Sequence, residues 1–581
     1  MGKWVADFET TTKKEESHVW AWALCEIGND KNLYIGTDIN DFMDWCRNSP
    51  DNETVYFCNL RWDGQFLLNW LFWNEYTHVR ESRDRATKTF KTMISDKGLY
   101  YGIEVIFWRK GKNIKKVTFY DSNKLLPMGV EKIAKAFKLP YQKGKIDYDA
   151  HNDLPYNSPI TPEEQEYIIN DVKIVAYALN EFFKLGLDKM TIGQCAMAEY
   201  KKIVGEKAFK RWFPIPTYHD DVKQCYKGGY TWCNPKFAGK ILGNGVVLDE
   251  NSAFAAVQLE DLLPFGTPIL YQGQYKPDDV YPVYIQMIKC SFDLKPGKLP
   301  TVQIRHGGYY QQNVYLETSG DNEPVLCLTS VDLELFLENY QTYNLKYIKG
   351  WKFKATHGLF DEYILKWYGE KVKAKEEENG PMYEISKLFL TSLYGKFGTG
   401  NQRRSKTPYM GKDDRVHFKD EDPVAQDSVY VPMAAFITAH ARARVIRAAQ
   451  KITDDYNAGR SNIQVAYIDT DSLHCISDDF SLPEGLEIDD MKLGAWKYES
   501  RFTKAKYLRQ KCYIEQSTSD VYNPDAKYGL KVTVAGMPKE CHDQVTFENF
   551  RFGKTYRGGK KQPEAVKGGV ILVDVDFTLK P

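Results

Sequence analysis

The run Ala466-Tyr-Ile-Asp-Thr-Asp-Ser-Leu-His474 sets two carboxylates, Asp469 and Asp471, two residues apart between short apolar stretches. Residues 463–468 read as a mostly buried strand and 473–476 as its return partner, so Asp469-Thr470-Asp471 falls at the tip of a hairpin. Two acids at a tip repel each other unless a cation lies between them, and the tip reads as part of a divalent-metal site. Asp is also a favoured turn residue, so a bare Asp-x-Asp fits an ordinary polar turn as well. Only the rest of the chain separates the two readings.

Other acids fall into comparable settings. Trp4-Val-Ala-Asp7-Phe-Glu9-Thr10 reads as a strand whose period of two puts Asp7 and Glu9 on one face. Asp63 follows in Asn59-Leu-Arg-Trp62-Asp63-Gly64, just before an apolar run that starts at Phe66. Thr161-Pro-Glu-Glu164 is a capping box with proline at the first helical position, and on the helix it opens Tyr167 and Asp171 share a face. Val246-Val-Leu-Asp249-Glu-Asn-Ser252-Ala-Phe254 reads as a strand ending in an acid, with Ser252 placed to cap the segment after it. Lys387, Thr391 and Tyr394 form one stripe of an amphipathic helix, and Tyr226-Lys-Gly-Gly229 suits close backbone approach to a phosphate strand. An alanine- and arginine-rich helix over 434–452 could back a sheet.

A chain of 581 residues is long enough for three or four domains. Lys plus Arg and Asp plus Glu both total 78, so any nucleic-acid surface must be a local groove rather than a global basic field. No apolar run approaches a membrane span, and Met1-Gly-Lys-Trp enters a strand without a signal-peptide pattern, so a soluble, intracellular protein is expected. The 11 cysteines include no Cys-x-x-Cys pair and share no ligand spacing with the 10 histidines, which points to reduced thiols and no zinc. Gly553-Lys554-Thr555 ends like a phosphate-binding loop, but Glu548 stands where its first glycine is needed, which excludes a Walker-type NTPase.

Tyr467-Ile-Asp-Thr-Asp-Ser472 resembles the YxDTDS signature of family B DNA polymerases, and the other landmarks occur in that family's order. Insertions on either side of the fingers make the chain similar to the protein-primed branch of the phage phi-29 type. The resemblance implies an α/β and α+β multidomain fold, an RNase-H-like 3′–5′ exonuclease domain followed by a right-hand polymerase. Its expected parts are the exonuclease domain at 1–189, palm at 190–260 and 427–536, and fingers at 359–398. The two insertions fall at 261–358, including Tyr281-Pro-Val-Tyr and His306-Gly-Gly-Tyr-Tyr310, and at 399–426, a polar excursion; a small thumb takes 537–581.

In such an enzyme Asp249, Asp469 and Asp471 would be the palm carboxylates, with Asp249 and Asp471 holding metal. Asp7, Glu9, Asp63 and Asp171 would bind the exonuclease metals, assisted by Tyr167 and Lys143. Two Mg²⁺ or Mn²⁺ ions per active site are implied. Phe254, Lys387, Thr391 and Tyr394 would meet the incoming nucleotide, with either Lys371 or Lys375 as a second phosphate contact. Thr10, Asn59, Trp62, Phe66 and Ser122 would hold a single strand; Tyr226, Gly228, Gly229, Lys511 and Tyr513 would hold primer-template DNA. The implied partners are DNA, deoxynucleotides and a terminal priming protein, for a monomer in the host cytoplasm that proofreads and displaces strands. Motif A reads Ser-Ala-Phe-Ala, Thr391 replaces an asparagine, Ser122-Asn123 replaces Ser-Leu and Cys58 replaces a histidine, yet no catalytic carboxylate is lost. The alternatives are a stand-alone exonuclease with a DNA-gripping C-terminal region and a non-catalytic scaffold that binds the terminal protein. Intact Asp249, Asp469 and Lys387 argue against both.

Overall fold

Alternation along the strand Lys3–Thr10 organises the N-terminal domain. Trp4, Ala6 and Phe8 pack with the helices Ile39–Asn48 and Leu60–Trp73, whereas Val5 joins the helix Pro162–Lys184 on the other face. Asp7 and Glu9, in phase with Val5, therefore look toward the helix that carries Asp171. The computed structural model describes residues 2–581 except 216–217, 304, 307–308, 311–314 and 519–528, so His306–Tyr310 lies partly outside the described residues. The sheet around this strand runs Asn29–Gly36, Val19–Glu26, Lys3–Thr10, Glu53–Phe57, Asn113–Asp121, Tyr100–Lys110, Thr89–Ile94 and Thr77–His78. Lys3–Thr10 pairs parallel with Glu53–Phe57, which pairs parallel with Asn113–Asp121. The expected capping box opens Pro162–Lys184, Thr161 and Glu164 each satisfying the other's backbone N–H.

A second sheet holds the expected hairpin. Gln464–Thr470 and Ser472–Ile476 pair antiparallel, and Gly245–Glu250 pairs with Ser472–Ile476 on one side and with Trp496–Arg509 on the other. Val246, Leu248, Ile468, Leu473 and Cys475 point to the long helix Val431–Asn457, where Ala443, Val445, Ile446 and Ala449 receive them. The opposite face carries Asp249 and Asp469 at one end and a cluster of Val247, Tyr467, Tyr507 and Tyr513 below them.

Between the two halves of this sheet stand the helices Asp361–Glu376 and Gly380–Phe397, packed on each other at the position expected for the fingers. Ahead of them lies a four-stranded antiparallel sheet in the order Leu263–Gln272, Tyr340–Thr356, Val283–Leu294, Val325–Thr329. After them, residues 402–425 form two short ribbons rather than a solvated excursion. Val416 is buried in the N-terminal core, Phe418 meets Tyr100 edge-on at 6.1 Å, and Arg80 pairs with Glu421 at 2.6 Å.

The C-terminal hairpin Thr555–Val566/Gly569–Thr578 also returns to the N-terminal domain. At its tip the Ser17 N–H donates to the Lys567 carbonyl at 2.9 Å. Gly568 has φ 82°, and a Cβ there would stand 2.3 Å from the Ser17 carbonyl oxygen; one on Gly569 would stand 2.1 Å from the Phe66 ring. Both glycines are needed for the approach. Gly568→Ala should weaken the docking by about 1–3 kcal/mol, because alanine pays for the left-handed backbone as well as for the contact. Hydrogen exchange reads this directly: amides at 566–570 should exchange at least about tenfold faster, and unchanged exchange would show that the contact holds nothing.

Candidate functional site

In the palm, cross-strand register aligns Thr231, Asp469, Ser472, Asp249 and Lys497 across four neighbouring strand pairs. Directly opposed residues of antiparallel strands project to one face, so two carboxylates more than two hundred residues apart in sequence share a sheet face with one strand between them. The turn between them is tightly held. The Asp471 N–H donates to the Asp469 carbonyl and the Glu250 N–H to the Asp471 carbonyl, both at 2.8 Å, while Thr470 takes φ 67°. Gly229 makes room for that turn, since a Cβ would meet the Thr470 methyl at 2.5 Å; beside Gly228 there is open space. The Arg442 guanidinium donates to the Lys227 and Gly228 carbonyls at 3.1 and 2.8 Å while paired with Asp332, fixing the backbone of Tyr226-Lys-Gly-Gly.

Burial, with Asp471 and Glu499 nearby, pushes the Asp249 carboxyl up to about 8. Asp471 is pushed up to about 6, by burial first and then Asp469 and Glu499, against its own N–H and Lys511. Lys511 Nζ donates to Asp469 Oδ1, and the Lys511 N–H to the Tyr467 hydroxyl at 2.8 Å. Sequence reading missed Lys497 and Glu499. No motif marks them: Lys497 comes in by the register opposite Asp249, and Glu499 by the bulge two residues further on.

Beside this face the helices Ala253–Glu260, Asp361–Glu376 and Gly380–Phe397 pack on one another. Phe254 stacks on Tyr394 with ring centroids 4.3 Å apart and planes at 17°. Lys371 Nζ donates to Ser252 Oγ at 3.1 Å, and burial followed by Lys387 and Lys497 pulls its pKa down; Lys375 turns instead to Met491 Sδ at 3.7 Å. The geometry therefore favours Lys371 over Lys375. Ser252 does not cap the helix Ala253–Glu260 as expected: it sits at φ 51° with no capping bond, and its hydroxyl receives Lys371. Thr391 donates to carbonyls of its own helix, at Lys387 and Leu388, and Tyr226 lies against Gly398 at the end of the same helix.

In the N-terminal domain the four acids converge. Asp7 is pushed up to about 7 by burial and then Asp171, against Lys143 and the Phe8 N–H. Burial with Asp7 and Asp171 drives Glu9 well up, and burial with Asp7 does the same to Asp63, although Asp63 Oδ1 accepts from the Phe8 N–H at 3.2 Å. Lys143 Nζ donates to Asp171 Oδ2 at 2.6 Å, leaving Asp171 Oδ1 buried with no hydrogen-bond partner. Tyr167 is buried beneath these acids and shares a hydrogen bond with the exposed Tyr148 at 3.1 Å. Tyr148 had no assigned role in the sequence, although it follows Lys143 by five positions.

The expected strand contacts divide. Asn59 takes a left-handed φ of 70° and its N–H donates to Asp121, with Trp62 half-buried beside it. Phe66, Ser122 and Tyr513 are buried, at 1, 2 and 5 % exposure, and Thr10 at 7 %. The Phe66 ring lies against Gly569, at the tip of the C-terminal hairpin.

Both carboxylate sets have the hard-oxygen chemistry for Mg²⁺ or Mn²⁺, and the orphaned Asp171 Oδ1 awaits a cation. Among the described residues no three acidic, histidine or cysteine side chains converge closely enough to enclose an ion unaided.

Known proteins share this arrangement. The sequence matches the family model described as DNA polymerase type B, organellar and viral, over residues 46–159 and 153–481. It is 42 % identical to the DNA polymerase of Bacillus phage B103, covering 99 % of each chain, and 31 % identical to that of Streptococcus phage Cp-1, covering 99 % of this chain and 98 % of the relative. The structure is similar to phi29 DNA polymerase complexed with primer-template DNA and incoming nucleotide substrates, with a TM-score of 0.91 at 41 % identity, and to the same polymerase complexed with single-stranded DNA, at 0.90 and 40 %, covering each chain fully. With a family match across most of its length and relatives of this identity end to end, the chain belongs to the type B DNA polymerases, organellar and viral.

Proposed function

We propose that this polymerase replicates a linear phage-type genome from a terminal protein primer, displaces the strand ahead of it and proofreads with its N-terminal domain. The observation that carries the reading is the alignment of Asp469 and Asp249 on one sheet face, beneath Lys371, Phe254 and Tyr394. The proposed domains are exonuclease 1–189, palm 190–260 and 427–536, insertions 261–358 and 399–426, fingers 359–398, and thumb 537–581. Proofreading is supported by four poorly solvated acids that raise one another's pKa values, three of them beside Lys143. A docked ribbon at 402–425 supports strand displacement, and exposed Ile269, Leu270 and Tyr343 on the sheet before the fingers support contact with a priming protein. The relatives' complexes with primer-template DNA, single-stranded DNA and nucleotides support the same substrates here. No helix among the described residues is long and apolar enough to cross a membrane, and the proposed setting is the host cytoplasm, as a monomer.

Asp249 and Asp471 would hold two ions in the palm; Asp7, Glu9, Asp63 and Asp171 would hold two in the N-terminal domain. Once bound, such ions activate the attacking hydroxyl or water and neutralise charge on the leaving oxygen. The chain supplies the rest. Lys371 and Lys387 hold the triphosphate, and the stacked Phe254 and Tyr394 rings wall the sugar and nascent base pair. Lys511 braces Asp469 beside the primer end. Tyr167 keeps its phenolic proton, because burial beside Glu9 raises its pKa, so its hydroxyl orients the attacking water and does not act as a base.

If the two sites are independent, Asp471→Ala should cut primer extension by at least about a thousandfold while single-strand degradation stays within about threefold of wild type. Asp7→Ala should do the reverse. Loss of both activities from either change in a folded variant would refute the division. A second expectation concerns pH. The raised carboxyls bind more protons folded than unfolded, so metal-free stability should fall as pH rises from the ordinary carboxyl range near 3.8 toward about 8. Magnesium, binding only the ionised folded form, should offset that loss. Melting curves in chelator and in magnesium at about pH 6 and about pH 8 test it, and a magnesium-induced rise in Tm no larger at the higher pH would contradict it.

A further inference from the structure

Below the carboxylate turn lies a buried polar group with no part in the chemistry above. His474 and Glu515, 41 residues apart in sequence, meet at 2.5 Å through Nδ1 and Oε1, each with a side chain only 1 % exposed. His474 holds Glu515 below the ordinary carboxyl range despite burial, and an ionised carboxylate only accepts, so Nδ1 carries the hydrogen. The Tyr507 hydroxyl donates to the same Oε1 at 2.7 Å, and Lys531 Nζ stands 3.7 Å from Oε2.

Both ends of this group lead back to Asp469. On one side His474 Nε2 faces Ser472 Oγ at 3.4 Å, and Ser472 Oγ donates to the Asp469 carbonyl at 3.3 Å. On the other side the Tyr467 ring stacks on Tyr507 at 5.2 Å and meets His474 edge-on at 5.2 Å. The Tyr467 hydroxyl accepts the Lys511 N–H, and Lys511 Nζ returns to Asp469 Oδ1. The contacts form a closed circuit through the strand of Asp469, the strand of His474 and the Lys511 turn.

We propose that His474 and Glu515 are positioning residues for polymerisation, setting the Asp469-Thr470-Asp471 turn and the Lys511 turn at a fixed separation. Burying an ion pair brings little net stability, and an apolar pair of similar volume commonly folds as well or better. What an apolar pair cannot supply is direction: the imidazole has two nitrogens at fixed angles, one aimed at Glu515 and one at Ser472. Apolar packing would fill the space and leave the turn free to shift, and small misplacements of reacting groups are costly in rate. The inference rests on the polymerase reading and adds to it a mechanical role for two residues outside the active site.

The test compares the full chain with His474→Phe/Glu515→Leu, with Glu515→Leu alone and with Glu515→Gln, which keeps the shape and an acceptor for Tyr507 and Nδ1. Single-turnover extension and single-strand degradation are measured on each, with Tm. The double variant and Glu515→Leu should lose at least about tenfold in maximum extension rate with the nucleotide KM within about twofold. Degradation should be unchanged, and Glu515→Gln should recover the rate to within about threefold of wild type. Should the double variant fail to fold, the Glu515→Leu and Glu515→Gln pair decides alone. Wild-type rates in Glu515→Leu would overturn the proposal, as would loss of extension, degradation and Tm together without rescue by Glu515→Gln. A wild-type chain that extends no primer would instead overturn the polymerase reading itself.

Discussion

Repulsion between buried carboxylates is the constraint that the rest of the molecule answers to. Asp7, Glu9 and Asp171 feel Lys143 and Asp63 crowds Asp7, while Asp249, Asp469 and Asp471 have Lys511 and Lys497 near them, so in both sites acids outnumber bases in poorly solvated surroundings. Side chains alone would spread apart. What prevents it is backbone: parallel pairing beneath Asp7, antiparallel pairing on both sides of Asp249, and two 2.8 Å hydrogen bonds across the Asp469–Asp471 turn. Cores elsewhere supply the stability, and the crowded acids answer with raised pKa values, holding protons that they would otherwise lose.

The elements that bear this charge were legible in the sequence because they are local. A period of two put Asp7 and Glu9 together, a capping box fixed the start of the Asp171 helix, and the hairpin tip was marked by its apolar flanks. Three kinds of feature were not. Glu515 and Lys497 sit in strands without a motif, and their roles come from pairing partners distant in sequence. Ser252 had the residue type of a cap, but a left-handed backbone and the arrival of Lys371 gave its hydroxyl another use. The packing of Phe66 against Gly569 was not legible either, because it comes from the return of the C-terminal hairpin some five hundred residues later. Propensity speaks for segments; it does not speak for the parts that fold back onto them.

The same return explains how a neutral chain can surround a polyanion. Its net charge is zero, yet Lys371 and Lys387 lie on the helices Asp361–Glu376 and Gly380–Phe397, Lys497 on the strand opposite Asp249 and Lys511 in the turn beside Asp469. Acids are drawn to the same place by the sheet, so the positive groups work at short range against a charge that is already local.

One close contact joins parts that the linear order keeps apart. The Thr470 methyl occupies the space where a side chain on Gly229 would stand, and Arg442 grips the backbone just before that glycine. No compressible layer separates the glycine strand from the carboxylate turn. Packing at that range makes the backbone of Gly229 and the Asp469–Asp471 turn a single steric unit, so a side chain added at Gly229 would have to displace the turn that carries both carboxylates.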